Sequence, residues 1–498
     1  MATILQIQNL SFSYPGSSIK LFENLNLDIH PGWTAIIGEN GSGKSTLVKL
    51  ICRLLTPEAG TIQYKGSSCY CPQNTDSFTE DINLFRDSYD NSRYHYQGYF
   101  CIKDEWFDLW ANLSWGERKR IHLAAALWKE ADILVLDEPT NHLDLQSRNQ
   151  LLEILLQFKG IGLLISHDRH FIDQLCGHSL SLLHGELKLR KGGYSLSINQ
   201  KQQEEESIGF AYNKLTKERK KLHKEMVNRR QEASRADSKR SKKGLHPKDH
   251  DSKAKINLAR ISGKDGHAGK LLNQLNGRFN QLESKMENLS LNKKRKSGIS
   301  INNESSKKNR LFFSDEQTIF LGESATLFIP EIAILRNDKI AISGPNGTGK
   351  TSFLNFMVKK LSLPKESVLF IPQEITQKLT NEIKARFENL SNSNKGRILS
   401  EISRLGSSPD SFMDSLNLSP GECKKLLFAF GIINKAQLII MDEPTNHLDI
   451  NSIACLEEAL KNVECAVLIV THDQLFMENI CKYNWEIQIK NDGYHLIT

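Results

Sequence analysis

The chain has 498 residues, enough for two or three domains with cores of their own. Its 39% hydrophobic and 25% charged content is that of an ordinary water-soluble protein, no stretch approaches the ~18 apolar residues of a membrane helix, and MATILQIQNL has no basic segment followed by a long apolar run, so no signal peptide is expected. The net charge of +7 is uneven: Ala211–Ser300 holds 25 Lys+Arg against 9 Asp+Glu, the remainder 40 against 49, which points to a polyanion partner for the middle of the chain.

In chain order, TAIIG (Thr34–Gly38) reads as a short buried strand. The glycine-rich run GENGSGKS (Gly38–Ser45) follows, and STLVKLICRLL continues as a helix. Cys69 and Cys71 are the only close pair among nine scattered cysteines, so paired zinc-ligand spacing is missing and reduced, buried thiols in a cytosolic protein are expected. LSWGERKR (Leu113–Arg120) follows, DILVLDE is a second buried strand ended by Pro139, and GLLIS is a third.

The same order recurs about 305 residues later: KIAISG, GPNGTGKT (Gly344–Thr351), TSFLNFMVKKL, LSPGE, LIIMDE and AVLIVT. Ser114 to Asp137 and Ser419 to Asp442 are both 23 residues; Glu138 to His167 and Glu443 to His472 are both 29. Four motifs at matched spacing define two homologous units, at about 1–200 and 305–498, with 201–304 between them. Short apolar strands alternating with helices predict an α/β fold with a mostly parallel sheet in each unit.

In G-x-x-x-x-G-K-[ST] the glycines let backbone N–H groups converge on phosphate, and the helix that follows adds the positive end of its dipole. Gly38, Asn40, Gly41, Gly43, Lys44, Ser45 and Thr46 form one such loop; Gly344, Asn346, Gly347, Gly349, Lys350, Thr351 and Ser352 form the other. Lys44 and Lys350 are expected to hold the β- and γ-phosphates, and Ser45 and Thr351 to place a hydroxyl on Mg²⁺. Asp137 and Asp442 end apolar strands and are expected to hold Mg²⁺ directly or through water. Glu138 and Glu443, one residue further on, would orient or deprotonate the attacking water.

These motifs together resemble the ATP-binding-cassette (ABC) ATPases. LSWGE and LSPGE are similar to their signature motif, NHLD to their D-loop, Gln73 in YCPQ and Gln373 in FIPQ to their Q-loop glutamine, and His167 and His472 to their switch histidine. The resemblance implies ATP and Mg²⁺ as ligands, with Gln73 and Gln373 near the metal, and two cassettes closing head to tail around two ATP molecules. Ser114, Gly116 and Glu117 would then serve the nucleotide at Lys350, and Ser419, Gly421 and Glu422 the nucleotide at Lys44. Tyr14, 30 residues before Lys44, suits the aromatic that stacks on adenine; its counterpart stays open among Phe312, Phe313 and Phe320. The second signature position departs from the family's usual glycine: it is Trp115 in one copy and Pro420, which has no N–H, in the other.

The middle segment follows neither unit's pattern. Ile208, Tyr212, Leu215, Leu222 and Met226, and then Leu272, Leu275, Phe279, Leu282, Met286 and Leu289, recur at heptad-like spacing. They predict two amphipathic helices zipped antiparallel, the first of about 30 residues and on the order of 45 Å. The stretch 233–267 would be a basic tip without aromatics, suited to phosphates and shape in structured RNA rather than to single-strand stacking. Arg240, Lys242, Lys243, Leu245, His246 and Lys248, with Pro247, are placed near the apex as candidate RNA contacts.

Two such cassettes joined by a basic α-helical hairpin linker, with DEPTNHLD in both and GGYS (Gly192–Ser195) before the linker, resemble the ABC-F branch of the family. That resemblance implies a cytoplasmic ATPase, monomeric with two intramolecular ATP sites and no membrane subunit. Its partners would be the ribosome's large-subunit rRNA and the P-site tRNA, bound from the E site, with the linker reaching toward the peptidyl-transferase centre. Only 41 residues separate Gln73 from Ser114, leaving little room for the extra arm of some housekeeping members, and the chain stops 26 residues after His472, so no long C-terminal extension is expected. A long linker without that arm is more similar to the members that displace ribosome-targeting antibiotics. A housekeeping translation factor is the nearest alternative. A tandem ATPase subunit of a membrane transporter gives the basic hairpin no role; DNA-repair and iron–sulfur recycling ATPases would need an interrupted cassette or clustered cysteines.

Overall fold

The structure is a computed structural model and describes residues 4–17, 20–141, 143–183, 185–239, 265–288, 309–322, 325–407, 418–490 and 493–498. The candidate RNA contacts Arg240, Lys242, Lys243, Leu245, His246 and Lys248 lie outside these residues. The chain divides into two compact units, residues 1–197 with 295–498 in one and 198–294 in the other.

Within the first unit each half is built on a central, mostly parallel sheet. In the N-terminal half the strand order is Ser68–Cys71, Ile133–Asp137, Ile161–Ile165, Gly32–Gly38, His178–Leu183 and Glu186–Lys191, with only the last pair antiparallel. A second, antiparallel sheet of Phe22–Ile29, Leu5–Phe12 and Ala59–Gln63 accompanies it. The C-terminal half repeats the parallel core as Val368–Ile371, Leu438–Asp442, Ala466–Val470, Lys339–Ser343 and Tyr483–Lys490, extended at one edge to eight strands.

The apolar runs are strands because both faces of each sheet are covered. Successive residues of Ile133–Asp137 alternate between two cores: Leu134 and Leu136 pack with the signature-helix residues Leu123 and Ala124, while Ile133 and Val135 pack with Leu47 and Leu50. Ile439 and Met441 against Leu438 and Ile440 repeat the alternation. The first core also takes in Ile450 from the C-terminal half, so the halves share apolar packing.

The second unit consists of two helices. Leu222, Met226, Leu275, Leu282 and Met286 form their buried seam, with Tyr212, Leu215 and Phe279 partly buried against it. The first helix, Tyr194–Lys239, has 46 residues against the ~30 that the apolar stripe predicts. It runs past the stripe at both ends: it starts at Tyr194, ahead of the run KQQEEES, whose strong helix formers need no apolar face, and it ends at Lys239, inside the stretch expected to be tip. The second helix, Asp265–Asn288, likewise begins inside the stretch expected to be tip.

A seam this thin makes each contact count. Leu282→Ala should remove about 2–3 kcal/mol from the helix pair. Hydrogen exchange should then accelerate across residues 198–239 and 265–288 while amides of the central sheets keep their protection; uniform acceleration throughout the chain would contradict the division into units.

Candidate functional site

Each phosphate loop leaves the C-terminal end of a central strand and enters a helix, Lys44–Ile51 or Lys350–Lys360. Gly43 and Gly349 occupy the position before the helix with φ of 96° and 91°, a conformation that L side chains rarely adopt. Lys44 Nζ donates to the carbonyls of Gly38 (2.8 Å) and Glu39 (3.0 Å), and Lys350 Nζ to those of Gly344 and Pro345 (both 2.8 Å). Burial lowers both ammonium pKa values, while the carboxylates around them push the other way. Each loop thus holds a desolvated cation on its own carbonyls.

Ser45 Oγ donates to Asp137 Oδ2 at 2.8 Å, and Thr351 Oγ1 to Asp442 Oδ2 at 2.7 Å. A hydroxyl and a carboxylate meeting at a phosphate loop are the hard-oxygen donors that Mg²⁺ uses when substrate phosphates and water complete its shell. The residues therefore fit the ion. Among the described residues no group of three or more His, Cys, Asp or Glu is gathered as a metal site, and the free thiols of Cys69 and Cys71 are buried.

The glutamates reach the mouth of the site through a backbone feature. Glu138 and Glu443 have φ of 47° and 45°, left-handed for non-glycine residues. Their N–H groups remain tied to the adjacent strand, Glu138 to the Ile165 carbonyl and Glu443 to that of Val470, both at 2.8 Å. The turn breaks the strand alternation, so aspartate and glutamate do not face opposite sides of the sheet. Oε1 of each glutamate is buried without a hydrogen-bond partner, a polar atom aimed at a ligand-sized space. Burial, and then the Asp137 charge, push Glu138 up to about 8; Glu443 rises to about 7, chiefly by burial. His167 Nε2 stands 3.3 Å from Glu138 Oε1, and His472 Nε2 is 3.7 Å from Glu443 Oε1 and 3.2 Å from Asn346 Oδ1. Burial first, and then the neighbouring Lys44 or Lys350, lower both imidazoles to about 3, so each is neutral at pH 7.

Both sites draw on both halves. Ser419, Pro420, Gly421 and His447 close a cavity of about 610 Å³ over Tyr14, Asn40, Gly41, Gly43, Lys44, Ser45, Thr46, Gln73, Asp137, Glu138 and His167. Ser114, Trp115, Gly116 and Glu117, with Arg120, Leu143 and Arg148, close one of about 640 Å³ over Asn346, Gly347, Gly349, Lys350, Thr351, Ser352, Gln373, Asp442, Glu443 and His472. Glu422 is not among the residues that line its cavity; it caps its own helix, its carboxylate accepting from the Ser419 N–H and hydroxyl at 2.8 Å, as Glu117 caps the other signature helix. Gly38 and Gly344 contribute their carbonyls to the lysines rather than a lining surface. Tyr14 bonds Thr46 Oγ1 at 2.8 Å. Of the three phenylalanines weighed as its counterpart, Phe312 is in the core, Phe313 lies against Arg310, and Phe320 is 79% exposed beside Leu321, whose side chain abuts Gly349.

Pro420 is at the first position of helix Pro420–Ile433, after the Ser419 N-cap, where no intrahelical partner is lost and a fixed φ suits the chain. Gly421 has a packing reason to be glycine: a Cβ there would stand 2.5 Å from the His447 carbonyl oxygen.

Several site residues escaped the motif reading. Tyr70 OH donates to Asp137 Oδ2 at 3.0 Å. Lys119 Nζ, buried, donates to the carbonyls of Pro72 and Asp137, and Lys424 Nζ to those of Glu443 and Asn446. They occupy matching positions in the two signature helices, a pairing that the repeat itself contained. Asn40 Nδ2 donates across the halves to the His447 carbonyl at 3.0 Å; nothing local in the sequence announces it.

Against known proteins, the family model described as ABC transporter matches residues 22–141 and 331–446. The chain is 28% identical over 510 residues to the "Ribosome protection protein VmlR" of Bacillus subtilis (strain 168), covering 99% of this chain and 88% of the relative. It is 28% identical over 468 residues to the "Erythromycin resistance ATP-binding protein MsrA" of Staphylococcus epidermidis, covering 91% of each. Among solved structures, the "RNase-L Inhibitor" superposes with a TM-score of 0.60 at 18% identity over 98% of this chain and 90% of its own, a likeness of fold. No helix among the described residues is long and apolar enough to cross a membrane.

The raised carboxyl of Glu138 gives a pH test. Its folded pKa of about 8 exceeds the 4.5 of a free glutamate, so its contribution to stability is full below ~4.5 and lost as pH rises through ~8. Glu138→Gln, which removes the titration, should raise Tm of the nucleotide-free protein at pH 8.5 by several degrees, at about 2–4 °C per kcal/mol, and change it little at pH 5. Calorimetry showing an equal shift at both pH values would contradict the buried, proton-holding carboxyl.

Proposed function

Given that the chain belongs to the ABC-F ATPases of the ABC transporter family, we propose that it binds the ribosome in its ATP-closed form and protects it from antibiotics. It acts from the E site as a monomer, with the helical segment directed toward the peptidyl-transferase centre and the P-site tRNA. Cassettes at about 1–200 and 305–498 carry the two ATP sites, and the linker at about 201–304 carries the RNA contacts. The observation that supports this reading is that relatives named for ribosome protection and erythromycin resistance match 99% and 91% of the chain, linker span included.

Lys44 and Lys350 exchange their loop carbonyls for β- and γ-phosphate oxygens, and the loop N–H groups gather on the same phosphates. The backbone at Gly116 and Gly421, at the starts of the signature helices, approaches the γ-phosphate from the other half. Mg²⁺, held by Ser45 and Asp137 or by Thr351 and Asp442 with Gln73 or Gln373 nearby, supplies charge neutralisation to the phosphates when bound. Glu138 and Glu443 accept a hydrogen bond from the attacking water and receive its proton; neutral His167 and His472 hold that water and the γ-phosphate in line. Loss of the γ-phosphate removes what joins the halves, and the protein leaves the ribosome.

Glu138→Gln/Glu443→Gln should bind ATP, stay closed and sediment with 70S ribosomes, while the same protein with ADP should remain free. The unsubstituted protein should rescue an erythromycin-inhibited translation reaction, and removal of residues 198–294 from it should abolish that rescue. Sedimentation free of ribosomes in ATP would contradict ribosome binding; retained rescue after the deletion would contradict the role of the linker.

A further inference from the structure

Two arginines join the loops that carry the switch histidines. Arg148, on helix Leu145–Leu156, is held by its own half: Nε donates to the Leu143 carbonyl at 3.0 Å, and Nη1 to Asp168 Oδ2 at 3.1 Å. The same Nη1 reaches across to the His472 carbonyl at 3.2 Å. One guanidinium therefore touches the residue after His167 and the backbone of His472. Arg169, next in sequence to Asp168, forks onto Glu457 of the other half, Nη1 donating to Oε2 at 3.1 Å and Nη2 pairing with Oε1; its Nη2 is also 3.6 Å from Asp473. All five side chains are largely buried, from 7% exposed for Arg169 to 14% for Asp168.

The arrangement occurs once although the chain is a repeat. The counterparts of Arg148, Arg169 and Glu457 are Ile453, Gln474 and Leu152. Ile453 is buried in an apolar core, and neither Gln474 nor Leu152 carries charge. Both cations come from the N-terminal half, and both hold the His472 loop: Arg148 at the carbonyl of His472, Arg169 at Asp473. Among the described residues the His167 loop receives no reciprocal cation at these positions; Asp168 is held by Arg148 of its own half. Parting of the halves would expose these ions and leave the His472 loop without its two cross-half contacts, since buried pairs hold their geometry only while both partners are present.

We propose that Arg148 and Arg169 are positioning residues that form a one-sided latch, ordering the His472 loop only when the halves are closed and so making turnover in the Lys350 pocket depend on closure more steeply than turnover in the Lys44 pocket. This deepens the two-site ATPase reading and rests on it, but not on ribosome binding.

The test uses ATPase rates of the full chain without ribosomes. Glu138→Gln leaves only the Lys350 pocket turning over, and Glu443→Gln only the Lys44 pocket. Arg148→Ile and Arg169→Gln, each installing its counterpart, should lower kcat about tenfold in the first background, within the 5–150-fold span of site–site coupling, and less than twofold in the second, with KM little changed in both. Arg148→Lys should recover part of the rate. The exchange Arg169→Glu/Glu457→Arg should recover part of what Arg169→Glu alone removes, which separates the pair from general loss of folding. Equal losses in both backgrounds, no loss in either, or no recovery by the exchange would overturn the latch. Turnover absent from both backgrounds before any latch substitution would overturn the pocket assignment and this inference with it.

Discussion

Neither phosphate loop is enclosed by the half that carries it. Lys44 and Lys350 lie at the ends of central strands, where glycine-lined backbone exposes N–H groups, and the wall opposite each lysine is the start of a helix from the other half. A site of this kind is incomplete in either half alone. The energy available from a bound triphosphate is therefore spread across an interface, and an event at the γ-phosphate becomes a change in how the halves sit together. Two of the cross-half bonds, Asn40 to His447 and Arg148 to His472, join residues that border the two pockets.

The sheets supply the rigidity that such a site needs. Strand residues 133–137 and 438–442 are buried without exception, so their C-terminal ends are fixed points. On those ends the chain holds strain and charge together: a left-handed glutamate, an aspartate beside it and an unpaired buried oxygen. An empty pocket favours a proton on that glutamate, and a pocket filled by a compensating charge favours its release.

Much of this was legible in the residues. Two loops, two Asp-Glu strand ends and two signature starts at matched spacing point to the α/β repeat and to the motif residues gathered at the cavities, because phosphate chemistry and strand burial both act through local sequence; Leu21, Ile165 and His447 at one cavity and Arg120, Arg148 and Val470 at the other belong to none of those motifs. The long helix from Tyr194 exceeds the length that its apolar stripe predicts, because helix propensity without periodicity leaves a weaker mark at its two ends. Glu422 and Glu117 both serve as capping-box partners of their signature serines, yet only Glu117 also lines its cavity, a difference that the capping does not explain. Tyr70, Lys119 and Lys424 act through single contacts made by the tertiary fold. The one-sidedness of the arginines was present as three mismatches between the copies, Arg148 with Ile453, Arg169 with Gln474 and Glu457 with Leu152; only the interface shows that the three belong together.

The central claim is that each pocket is finished by the opposite half, and it is tested most directly by placing a charge in one signature and locating the nucleotide that is lost. In the Glu138→Gln/Glu443→Gln protein, ATP retained per chain and the peptides labelled by a photoreactive ATP analogue would be measured with and without Ser419→Glu. The account predicts a fall from about two nucleotides to about one, with labelling lost at the Lys44 pocket and kept at the Lys350 pocket. Labelling lost instead at the Lys350 pocket, in the same half as Ser419, or two nucleotides retained at both, would contradict it.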